Sequence, residues 1–209
     1  FKLLKQDFNV IHTHLFGHPH MFLGALAAKM KNIPHIHTTH CPWSDANRGR
    51  IGNFLPGISY NTIGKISLKL SKYVIAITPW ELDFIKKYGG NDISSRIKTI
   101  PNGVDKLFFK EINHNPFKKK YGLKNKIILF LGRFNVTKGP EKLALVAREI
   151  VKDRKDIVFI FLGPDEGKKE EVNKIVKDSE RIFVLEPLRD KKKIVEVYQA
   201  ADLYALPSY

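Results

Sequence analysis

Residues 132–140 read Gly132-Arg133-Phe134-Asn135-Val136-Thr137-Lys138-Gly139-Pro140. They follow the apolar, strand-sized run Lys126–Leu131 and open the amphipathic stretch Pro140–Lys152. Gly132 lets the backbone turn. Arg133 and Lys138 converge on one point above the strand end, and Pro140 and Glu141 begin a helix whose free amides point there. Two cations and a helix N-terminus make a diphosphate site. Where the diphosphate is a leaving group, they also meet the charge that grows in the transition state. A solvated loop with two surface cations is the plain alternative; placement between a strand and a helix favours the functional reading. The loop is no Walker motif, because Gly-Lys-Ser/Thr is missing, and no dinucleotide fingerprint, because Gly-x-Gly-x-x-Gly is absent.

Outward from this loop, short apolar runs alternate with amphipathic stretches. Strands are expected at Val10–His14, His35–Thr39, Tyr73–Thr78, Arg96–Ile100, Lys126–Leu131, Ile157–Leu162, Ile182–Leu185 and Leu203–Leu206. Helices are expected at His20–Lys31, Ile58–Ser71, Pro79–Tyr88, Pro140–Lys152, Lys168–Lys177 and Lys191–Ala201. The third helix has a well-marked start, with Thr78 as N-cap, Pro79 first and Glu81 completing a capping box. Residues 106–125, with few apolar side chains and the run Lys118–Lys120, read as an interdomain linker. The fold class is therefore α/β: two Rossmann-like domains, 1–105 and 126–209, with parallel sheets facing a cleft. The chain starts without Met at Phe1 and stops just past a strand pattern, so both domains are expected to be incomplete.

Composition bounds the function. The 209 residues are 43% hydrophobic, enough for a packed core. One cysteine excludes an internal disulfide framework and a multi-cysteine zinc site. No run approaches the ~20 apolar residues of a membrane span. Lys and Arg total 36 against 21 acids, a net charge of +15 spread over both halves. Such a surface suits phosphorylated substrates, anionic membrane or nucleic acid, or is merely solubilising. Only eight of the 36 are Arg, which argues against a dedicated DNA reader.

Seven of eight histidines lie between His12 and His40. His12 and His14 share one strand face, as do His35 and His37, so two adjacent strands present four imidazoles. A zinc site with Cys41 is chemically conceivable but is set aside, because no carboxylate joins the cluster; no metal is expected. His12, His18, His20, His35 and His37 read as packing or surface. His14 and His40 differ, since each ends a strand, where open parallel sheets bind ligands. Trp43 is positioned to stack on an acceptor or to pack on its own domain. Asn102-Gly103 reads as a turn.

Six segments in order carry a resemblance. They are Asp7–His14, Ile33–His40, Ile100–Asp105, the Gly132–Pro140 loop, Leu162–Gly167 and Tyr198–Ser208. Together they resemble the retaining GT-B glycosyltransferases of glycosyltransferase family four, which use nucleotide-sugar donors. The resemblance implies that Arg133 and Lys138 hold the donor diphosphate, beside Gly132. It implies that Gly163, Asp165 and Glu166 line the donor pocket, and that Leu185, Pro187 and Leu188 face the base. It puts His40 near the transferred sugar, with His14, Trp43 and Asn102 on the acceptor side, and assigns catalysis to His40, Arg133 and Lys138. It implies a nucleoside-diphosphate sugar as substrate with no permanent cofactor, and a glycan or lipid-linked acceptor. A cytoplasmic protein, peripheral at an anionic membrane face and without nucleic acid, fits this. The family's Glu-x7-Glu pair would follow Ser208 and its glycine-rich loop would precede Phe1, so this stretch alone is expected to be inactive. The rivals are a GT-B nucleotide-sugar epimerase and a basic nucleic-acid-binding module, the latter without its recognition motifs.

Overall fold

The computed structural model describes residues 2–40, 49–112 and 115–208, with only the backbone of 49–53 and 91. The chain divides into two compact units, Phe1–Gly103 and Val104–Tyr209.

The first unit holds β1 (Ile11–His14), α1 (Pro19–Met30), β2 (His35–Thr38), α2 (Gly49–Ser59), α3 (Lys65–Leu70), β3 (Tyr73–Ala76), α4 (Leu82–Gly89) and β4 (Ile97–Thr99). Its four strands are parallel in the order β1-β2-β3-β4. The helix expected at Ile58–Ser71 is longer and broken: α2 and α3 are joined by a π-turn at Tyr60–Gly64. Pro56 lies inside α2, and the side chains of Asn61 and Thr62 donate to the carbonyls of Gly57 and Ile58 (both 2.8 Å). These bonds compete with the regular ladder. Gly64 is small because Phe16, fully buried, packs directly on it. Phe16, Met21, Leu68, Val74, Ala76, Ile85 and Ile93 form the core of this unit.

The capping box expected at Thr78 is not formed. Thr78 makes no side-chain cap bond, and a 3-10 turn at Pro79–Glu81 precedes α4. Glu81 is instead fully buried and its Oε2 accepts from the Ile77 amide (2.8 Å) and the Thr39 hydroxyl (2.7 Å). A distant strand end took the carboxylate that local pattern assigned to the helix.

The second unit holds α5 (Pro116–Lys120), β5 (Lys126–Leu131), α6 (Pro140–Asp153), β6 (Ile157–Leu162), α7 (Lys169–Val176), β7 (Ile182–Leu185), α8 (Lys191–Ala200) and β8 (Leu203–Tyr204). The parallel sheet runs β7-β6-β5-β8. All six residues of β6 are buried, as a central parallel strand covered on both faces requires. Phe159 and Phe161 pack with Ala144, Ala147 and Val172, on the α6 and α7 side. Val158, Ile160 and Leu162 pack with Phe117, Val197 and Ala200, on the α5 and α8 side. Asp202 accepts from the Ile127 amide (2.9 Å) and so ties the start of β5 to the approach of β8. Residues 106–125, read as a linker, group with this unit. The Asn115 amide group donates to the Glu196 carbonyl (2.8 Å) and its Oδ1 caps α5.

Candidate functional site

In the second unit, three strand ends stand abreast. Leu131 pairs with Leu162 and Leu162 with Leu185, so the segments after β5, β6 and β7 leave one edge side by side. After β5 comes the Gly132–Gly139 loop. Its Phe134 is fully buried and forms a parallel bridge with Asp165; the Phe134 amide donates to the Pro164 carbonyl (2.8 Å). The turn after β6 must have glycine at 163. Its φ is +154°, and a Cβ there would overlap the Gly132 carbonyl oxygen. Gly139 has φ +58° and lies against the Pro207 carbonyl, leading directly into Pro140 of α6.

Asn135 organises the loop. Its Oδ1 accepts from the Lys138 amide (3.1 Å) and the Thr137 hydroxyl (2.9 Å), closing a 3-10 turn at Val136–Lys138. Its side-chain amide donates to Glu166 Oε2 (2.7 Å). Arg133 Nη1 lies 3.1 Å from both Glu166 oxygens. Asn135, then Arg133, hold the Glu166 carboxyl below the usual range. Lys138 is half-buried, and among the described residues its ammonium makes no ion pair. Glu141, in the first turn of α6, is buried with Oε2 lacking a partner among the described residues. The Asp165 carboxylate, expected in the donor pocket, caps the next helix. Its Oδ1 accepts from the amides of Gly167 (2.9 Å), Lys168 and Lys169 (both 3.1 Å), and these bonds lower its pKa.

After β7, Leu185, Pro187 and Leu188 line a cavity of about 620 Å³ together with Phe117, Tyr121 and Leu162. The two aromatic residues escaped sequence reading because 106–125 looked like a linker; Asn115-Pro116, a helix-start pair, was the available signal. Lys169 pairs with Glu186 (2.6 Å) at the rim.

In the first unit, register separates the histidines. Thr13 stands opposite His37 and His14 opposite Thr38. The four imidazoles expected together therefore fall on opposite faces: His12 and His14 are exposed, His35 and His37 buried. The buried pair forms a chain whose protons can be counted. Ser71 donates to the Ser67 carbonyl (2.8 Å), so its Oγ accepts from His35 Nδ1 (2.9 Å). Neutral His35 then accepts at Nε2 from Thr13 (2.9 Å), and Thr13 accepts from His37 Nδ1 (2.9 Å). His37 Nε2 is left as a bare buried acceptor. Burial, then the charge His12 would carry, pushes the His35 pKa down to about 4; burial, then His35, pushes that of His37 down to about 3.

On the exposed face, the expected pair meets: His14 Nδ1 lies 2.8 Å from His40 Nε2. His20 Nε2 donates to the His14 carbonyl (2.6 Å), and the His12 ring stands 4.3 Å from that of His14. Burial, then His40, lowers the His14 pKa. Leu15, directly after β1, and His40, two residues beyond the end of β2, both have left-handed backbones, φ +70° and +49°. Asn102 is exposed beyond β4. Trp43 and Cys41 lie outside the described residues. Among the described residues no group of three or more His, Cys, Asp or Glu could hold a metal ion.

Two parallel α/β units with a basic loop at a strand end have the fold of the GT-B glycosyltransferases. A family model described as Glycosyltransferase Family 4 matches residues 1–106, and one described as Glycosyl transferases group 1 matches residues 111–209. The chain belongs to this glycosyltransferase family. It is 25% identical over 208 residues to D-inositol 3-phosphate glycosyltransferase of Segniliparus rotundus, covering 94% of this chain and 46% of the relative. It is 28% identical over 225 residues to the Corynebacterium diphtheriae protein of the same name, covering 100% and 51%. Anabaena Alr3699/HepE, solved in complex with UDP, is 17% identical with a TM-score of 0.76, covering 99% of this chain and 56% of that one. The chain thus spans about half the length of the curated relatives it matches.

Proposed function

We propose that the whole protein transfers a sugar from a nucleoside-diphosphate sugar to an acceptor hydroxyl, with retention of configuration. The carrying observation is that Arg133 and Lys138, the Gly163 turn and the Leu185–Leu188 cavity occupy adjacent strand ends on one sheet edge. Leu185, Pro187, Leu188 and the aromatic pair Phe117 and Tyr121 suit a base. Arg133, Lys138 and the α6 amides suit the diphosphate and absorb the charge of its departure. Glu166 orients the Arg133 guanidinium. On the acceptor side, the His14–His40 pair faces solvent at the β1 and β2 ends, where an imidazole can exchange a proton with a hydroxyl. The UDP bound to the HepE neighbour supports a nucleotide donor. Matches to two glycosyltransferase models support transfer over epimerisation.

The deciding experiment is a thermal-shift screen of UDP-, GDP- and ADP-sugars on the full-length protein. Stabilisation by one nucleotide class identifies the donor, and Arg133→Ala or Lys138→Ala abolishes it together with turnover. No response to any donor, with salt-steep nucleic-acid binding instead, refutes the proposal. The acceptor is proposed as a glycan or lipid-linked hydroxyl, reached from the cytoplasm at an anionic membrane face, because the net charge is +15. Co-sedimentation with phosphatidylglycerol vesicles tests that location, and failure to bind them at low salt removes it.

A further inference from the structure

Glu81 has no role in the donor chemistry above, yet its burial is costly. It is fully buried, and among the described residues no cation pairs with it and its Oε1 has no hydrogen-bond partner. A carboxylate so placed is expensive to keep out of water, and an apolar side chain would serve cohesion better. What Oε2 does is specific: it accepts the Ile77 amide and the Thr39 hydroxyl.

Thr39 is the residue before His40, and it is pinned at two further atoms, its amide and its carbonyl. The amide donates to the Ile75 carbonyl (3.2 Å) and the carbonyl accepts from the Phe16 amide (3.2 Å), while the hydroxyl Oγ1 lies 2.7 Å from Glu81 Oε2 and 3.3 Å from Ile75 O. The shorter contact takes the single proton. The next residue, His40, then turns left-handed at φ +49°, a conformation that a β-carbon disfavours and that persists only where its surroundings impose it. That turn delivers the His40 ring to His14 Nδ1.

We propose that Glu81 is a positioning residue for His40: through the Thr39 hydroxyl it holds the left-handed turn that sets the His14–His40 imidazole contact. The inference deepens the reading of His40 as an acceptor-side group and rests on that reading for its catalytic consequence.

The test is imidazole ¹H–¹⁵N spectroscopy of the full-length protein, which reads the shared hydrogen bond of the two rings directly. Glu81→Ala and Thr39→Val are expected to lose that signature. Glu81→Gln retains it, because an amide oxygen still accepts both donors. The Gln variant also keeps the proposal testable if the Ala variant does not fold. A pair signature unchanged in Thr39→Val, or lost in Glu81→Gln as fully as in Glu81→Ala, overturns the proposal. Turnover of UDP-glucose by His40→Ala separates the two readings. If His40→Ala keeps full turnover while Thr39→Val still breaks the ring pair, the acceptor-side role of His40 fails and the positioning by Glu81 stands. If both readings hold, Thr39→Val lowers kcat while leaving the KM for donor unchanged.

Discussion

Replacing Gly163 by alanine tests whether the edge that carries the turns after β5 and β6 is built as described. A methyl group there would overlap the Gly132 carbonyl oxygen, and a φ of +154° is itself unfavourable for alanine. Backbone strain of this kind costs about 1–3 kcal/mol. Separating the two turns also endangers the Gly132 amide bond to Leu162 (3.0 Å) and the Phe134 amide bond to Pro164 (2.8 Å). Each is worth about 1 kcal/mol. The expected loss is therefore about 2–5 kcal/mol. The internal control is Gly132→Ala on the facing turn. Its methyl would crowd Leu206 Cδ1 at 3.2 Å, the end of a side chain that can rotate away, and touch the Phe130 ring at an ordinary 3.6 Å. That variant should lose less than about 1 kcal/mol. Urea unfolding measures the difference, and amide exchange at Phe134 reads it locally. Equal midpoints for the two variants, or unchanged Phe134 protection in Gly163→Ala, would refute the geometry and with it the shared edge on which the proposed donor site rests.

Acidification should weaken the first unit. His35 and His37 are held near 4 and near 3 when folded, against about 6.5 when exposed, so the unfolded chain binds more protons between these values. Their contribution is complete above pH ~6.5 and falls as pH drops through that window, by on the order of 3 kcal/mol for His35 and on the order of 5 kcal/mol for His37. A urea midpoint flat from pH 7 to 4 would contradict the proton count. Asn115→Ala removes the α5 cap and the bond to Glu196, and is expected to cost about 1–2 kcal/mol in urea unfolding; if the cavity holds the base as proposed, calorimetry should also show weaker binding of the nucleotide that the donor screen selects, since Phe117 lies on that helix and Tyr121 follows it. Glu166→Gln breaks an exposed ion pair, so the thermal unfolding midpoint should stay nearly unchanged; a large drop in melting temperature would contradict this.

The parts legible in the sequence were those governed by neighbours along the chain. The apolar runs of β5 and β6, the turn after β5 and the breaker before β2 announce themselves through composition and spacing. The parts that were not legible depend on which residues become neighbours in space. Alternation along β1 and β2 pairs His12 with His14 and His35 with His37. Only the inter-strand register says that the two pairs face opposite ways. Glu81 matched a local helix-start pattern and was claimed by Thr39, 42 residues away. Asn135 closes its own turn through Thr137 and Lys138, but its bond to Glu166 reaches 31 residues along the chain. The strand at Leu203–Leu206 shortened to Leu203–Tyr204.

The division of histidines across one sheet equips the first unit with a chemical gauge of its own integrity. A reagent that acylates neutral imidazoles meets His12, His14, His18, His20 and the partly exposed His40 on the native surface. It cannot reach His35 or His37 until the strands part, because both rings are sealed against Thr13. The number of modified histidines per molecule therefore counts opened sheets, without a label, a ligand or a functional assay.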